Sequence, residues 1–66
     1  MPADKAQLDT IEAYLRTVVP AEKVKELIEK FREADESIAQ EAIVMFEQRS
    51  NLRLADVERL LKKRGL

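Results

Sequence analysis

Apolar residues recur along this chain at intervals of three and four, with charged residues between them, and the rhythm is interrupted twice. That spacing is the signature of amphipathic helices. Leu8, Ile11, Leu15 and Val18 share one stripe with Tyr14 at its edge, which predicts a first helix from about Lys5 to Thr17. Asp4 is placed to cap it, and Gln7, three residues later, completes a capping box. The helix ends where Pro20 forces Val19 towards extended geometry, and proline itself suits the first position of a following helix.

From Ala21 to Gln48 there is neither glycine nor proline, and the stripe runs on through Val24, Leu27, Ile28, Phe31, Ala34, Ile38, Ala42, Met45 and Phe46. A single helix of roughly 28 residues would be about 42 Å long. A compact chain of this length has a diameter of only ~28 Å. The pattern therefore predicts a central helix that outgrows its own domain and needs a second copy of the chain to cover it, with Leu27, Phe31, Ile38, Ala42 and Met45 as the dimer core. The second interruption is softer, polar at Arg49, Ser50 and Asn51 and briefly alternating at Leu52-Arg53-Leu54. A last helix is expected from about Leu54 to Arg64, with Leu54, Val57, Leu60 and Leu61 facing inward and Gly65 as its cap. The expectation is one all-α domain over residues 1–66, arranged as short helix, long helix, short helix.

Composition narrows what such a domain can do. There is no cysteine and no histidine among the 66 residues, so no disulfide, thiolate or imidazole site can help a core of marginal size, and association with another chain is the remaining aid. No nucleophile, glycine-rich loop or convergent set of acids suggests an enzyme, a cofactor or a small-molecule substrate. No apolar run suggests a membrane segment or signal peptide, and a cytoplasmic compartment is expected.

Net charge is −1 but unevenly distributed, with −1 over residues 1–19, −4 over 20–48 and +4 over 49–66. Lysines and arginines that meet phosphates give sequence-independent affinity for DNA. The positive C-terminal third is enough for a modest footprint of that kind. Lys62, Lys63 and Arg64 also suit the negative end of the helix dipole. Glu29, Glu33, Glu36 and Glu41 are expected on a solvated acidic side. Asp56, in the first turn of the last helix, is within reach of Arg49, and a bridge between them would fix the second loop.

The segment Ser37-Ile38-Ala39-Gln40-Glu41-Ala42-Ile43 is similar to the I-A-x-E-A-I pattern in the middle helix of the small archaeal and bacterial histones. Arg49 and Asp56 match, in type and spacing, an arginine and an aspartate of that family, with Asn51 where threonine is usual. The chain thus resembles the prokaryotic histones over roughly 45 residues. The resemblance implies a histone fold, an intertwined handshake homodimer that can pair into a tetramer, and a nucleoid-associated protein that binds duplex DNA without sequence specificity. It implies DNA contacts at Arg16 and Lys23 beside the first loop of one chain and at Ser50, Asn51 and Arg53 in the second loop of the other. Low charge favours bridging or bending of DNA over tight wrapping. The alternative is a helical protein-interaction module, or a histone-fold subunit acting through a protein partner, for which the acidic middle of the chain speaks.

Overall fold

Asp4 opens the first helix as its sequence predicts. Its carboxylate accepts from the Gln7 amide at 2.8 Å, and the Gln7 side chain accepts from the Asp4 amide at 3.2 Å. The computed structural model describes residues 1–66 and contains four helices, α1 (Lys5–Val18), α2 (Ala21–Glu33), α3 (Glu36–Gln48) and α4 (Leu54–Lys63). The protein is all-α, and none of its helices is long and apolar enough to cross a membrane. At the far end Gly65 takes φ 83, and the Gly65 and Leu66 amides donate to the Lys62 and Leu61 carbonyls at 3.0 and 2.8 Å. That is a Schellman cap, and it turns Leu66 back against the core.

The expected long central helix is two helices. Ala34 and Asp35 are extended, with ψ 156 and 153, and they part α2 from α3 without glycine or proline. The break is made by capping. The Asp35 carboxylate accepts from the Ser37 amide at 2.9 Å and from its hydroxyl at 2.7 Å, an N-cap that competes with helix continuation. Lys30 and Arg32 in the last turn of α2, and Glu36 in the first turn of α3, suit the two dipole ends created there. The N-terminal segment satisfies backbone groups that the break would otherwise leave open. Ala3 donates to the Ala34 carbonyl at 3.1 Å, the Met1 carbonyl accepts from Glu36 at 2.7 Å, and the Met1 ammonium lies 2.8 Å from the Asp35 carboxylate.

This corner also shifts the buried face. Up to Ala34 the expected stripe is inside, but in α3 the buried residues are Ala39, Ala42, Ile43 and Phe46. Of the residues expected in a dimer core, Leu27, Phe31 and Ala42 are buried within one chain, whereas Ile38 and Met45 are only half-buried. The molecule measures 29 × 21 × 21 Å, so no element outgrows it and the length argument for a second chain does not apply to this form. All 16 buried residues are apolar, and no buried side-chain polar atom lacks a partner. Ile11 and Leu15 of α1 sit at the centre, where α1 packs on both α2 and α3.

Candidate nucleic-acid interface

The packing of α1 on α3 decides which loops become neighbours. Near the start of both helices the Gln7 amide group donates to the Glu36 carbonyl at 3.2 Å and meets the Gln40 side chain at 3.4 Å. Two turns further on, Tyr14 stacks on Phe46 with ring centroids 5.0 Å apart and planes 2° from parallel. The two helices therefore run side by side in the same direction. Their C-terminal ends emerge at one end of the molecule, and so do the Val19-Pro20 and Arg49–Arg53 connections. Arg16 and Lys23 flank the first connection, and Ser50, Asn51 and Arg53 lie in the second. A single chain thus brings to one end the two loops that the handshake arrangement would bring together from two chains.

The side chains there are open to solvent. Arg16 pairs with Glu12, and Lys23 lies 3.6 Å from Glu26, both on its own helix. Exposed pairs of this kind contribute ~0–1 kcal/mol and exchange readily for a stronger anion. Ser50, Asn51 and Arg53 are exposed and donate no side-chain hydrogen bond within the chain. Both helices that begin at this end lack a side-chain cap, with Pro20 before α2 and Arg53 before α4. The amides of Ala21 and Glu22, and of Leu54 and Ala55, accordingly have no partner in the chain. Open first-turn amides at the positive end of a helix dipole are suited to phosphate oxygens. The Glu12, Glu22 and Glu26 carboxylates are the opposing charges.

Asp56 organises the second connection. Its carboxylate accepts from the Arg53 amide at 2.9 Å, lies 3.1 Å from Arg59 and 3.8 Å from Arg49. Arg49, expected to bridge to Asp56, approaches it without a hydrogen bond, and Arg59, three residues along the same helix, is the nearer cation and donates to it. The hydrogen bond from the Arg53 amide, more than the two guanidiniums, holds the Asp56 carboxyl below the usual carboxylate range against a partial loss of solvent. Arg59 stands three residues after Asp56 on the same helix, a spacing at which the sequence itself pairs an acid with a base.

The basic C-terminal third is divided. Arg49 and Arg53 stand at the loop end, while Lys62, Lys63 and Arg64 lie at the other end of α4, about 15 Å along its axis. Arg64 is engaged by Glu41 through hydrogen bonds of 3.0 and 2.6 Å, so Glu41 departs from the solvated side expected of it. Between α3 and α4 runs a shallow groove of about 380 Å³, floored by Val44, Met45 and Leu60 and edged by Arg49, Arg59 and Lys63. Val44 and Met1 are the large apolar residues most open to solvent. Comparison with protein-family models, with curated proteins and with solved structures finds no match.

Proposed function

We propose that the end of the bundle bearing the α1–α2 and α3–α4 connections binds the phosphate backbone of duplex DNA without sequence preference, as a histone-like, nucleoid-associated protein would. The observation that carries this reading is the grouping of four unpartnered helix amides with Arg16, Lys23, Arg49, Arg53, Ser50 and Asn51. Amides, hydroxyls and guanidiniums of this kind grip phosphate oxygens and carry no base information. The resemblance of residues 37–43 and 49–58 to prokaryotic histones supports it. Assembly into dimers or tetramers would let one particle hold two duplex segments, bridging or bending them.

Fluorescence anisotropy with a random-sequence duplex, titrated at several salt concentrations, tests the reading. The expected log-log slope corresponds to several phosphate contacts, and Arg53→Glu or Arg16→Glu lowers it by about one each with helix content unchanged. Absence of binding at low salt, or a slope indifferent to both reversals, removes this end from the proposal. The exposed Val44 and its groove favour a second reading, a module that receives a protein partner. Under that reading, Val44→Asp abolishes partner binding while the wild-type protein ignores DNA.

A further inference from the structure

The groove between α3 and α4 is built from one face of each helix. Its walls are residues at i, i+3, i+4 and i+7, from Glu41 to Gln48 on α3 and from Asp56 to Lys63 on α4. It therefore runs about 10 Å, two helical turns, along both. The helices lie antiparallel, with Arg64 on Glu41 at one end and Arg49 near Asp56 at the other. Apolar surface lies along the middle, where Val44 is 37% exposed and Met45 half-buried above Leu60. The rim is basic where it is free. Glu41 is taken up by Arg64, and Asp56 by the Arg53 amide and Arg59. Lys63 is exposed and pairs with no acid of the chain, Arg49 makes no hydrogen bond, and Arg59 stands one turn before Lys63.

Shape and chemistry narrow the occupant. A shallow trough does not enclose a small ligand as a binding pocket does. The four helices offer no strand edge for an extended peptide, and none of the three aromatic residues lines the groove to receive a proline-rich one. Duplex DNA would find the basic rim but leave the apolar floor against phosphates. From these observations we infer that the α3–α4 groove receives an acidic amphipathic helix of a protein partner. Apolar residues of that helix at i, i+3 and i+7 settle on Val44, Met45 and Leu60, and its carboxylates meet Arg49, Arg59 and Lys63. The floor supplies affinity, and the cations on both margins set orientation and turn a basic helix away. The inference rests on the second reading above, a module that receives a protein partner, and adds the chemistry of that partner.

The chain has two methionines, Met1 and Met45, and they give the test its reporter. With isotope-labelled methyl groups, Met45 reads the groove by NMR and Met1, at the Ala34-Asp35 corner, serves as control. A phage-displayed library of helix-forming peptides without charge bias is selected on the full chain. The expected result is enrichment of net-acidic peptides with apolar residues at i, i+3 and i+7. The synthesised winner shifts the Met45 methyl and leaves that of Met1 in place. Its dissociation constant rises about tenfold or more in Val44→Asp and about threefold or more in Lys63→Glu. Lys63 is exposed, so its reversal reads the charge in a folded chain even where Val44→Asp loses helix content. Winners that are neutral or basic and still shift Met45 overturn the acidic partner and spare the reading beneath it. A Met45 shift on raising the concentration of the chain alone gives the groove to a second copy and overturns the inference. If no selected peptide moves Met45, the inference and the reading fall together.

Discussion

Three ionisable groups carry most of the local electrostatic organisation, and each fixes a piece of backbone. Asp35 and Asp56 are held below the ordinary carboxylate range, Asp35 first by the N-terminal ammonium and then by Ser37, and Asp56 first by the Arg53 amide. The ammonium is raised in turn by Asp35. A carboxyl depressed in the folded state stabilises above its unfolded value near 4 and loses that contribution as pH falls through the depressed one. An ammonium raised in the folded state stabilises fully below about 8 and loses that contribution as pH rises through its raised value. Thermal melts followed by circular dichroism should therefore give a plateau from about pH 5 to 8, a fall below pH 4, and a smaller fall above pH 8. Asp35→Asn should abolish the alkaline fall. A melting temperature that drops equally in wild type and variant would detach that fall from the Met1–Asp35 contact. Asp56→Asn should lower the melting temperature at pH 7, and its difference from the wild type should shrink as pH falls below 4.

The elements differ in how openly the sequence announces them. α1 and α4 are written in capping residues, stripe and Gly65, and both form as expected within a residue or two. The corner between α2 and α3 is written only in Asp35 and Ser37, with basic residues before them and an acid after, a signal that competes with 28 residues of uninterrupted helical spacing. Absence of glycine and proline does not secure continuity, because an N-cap needs neither. The partner that completes the corner, the backbone of Met1 to Ala3, lies more than 30 residues away and has no local signature. The loop end shows a similar mixture. Arg16, Lys23, Ser50, Asn51 and Arg53 could be named from sequence, but their meeting within one chain depends on α1 and α3 running in the same direction, which no periodicity encodes. At this scale the Tyr14–Phe46 stack is the joint to test. Phe46→Ala, which empties a buried site facing α1, should cost about 3–5 kcal/mol, measured by urea unfolding. Tyr14→Phe keeps the ring and should cost little. Equal losses from both would show that the hydroxyl, and not the stack, joins the helices.

As a whole the molecule is a small core inside a dense shell of charge. A 66-residue domain has a stability of ~3–10 kcal/mol, so a substitution at its centre consumes much of the total. Leu15→Ala, at a site with no solvent exposure, should cost about 2–5 kcal/mol and leave a largely unfolded chain at 37 °C. A cooperative native melt in that variant would show that α1 is dispensable to the core. The buried interior contains no polar or charged side chain, and the chain has no histidine and no cysteine. Nothing inside it can gain a proton near neutral pH, form a sulfur bond or lose a buried ion pair. Every charge whose state can change therefore sits on the surface, so a shift of pH loosens the corner and the caps from outside and leaves the apolar interior itself unaltered.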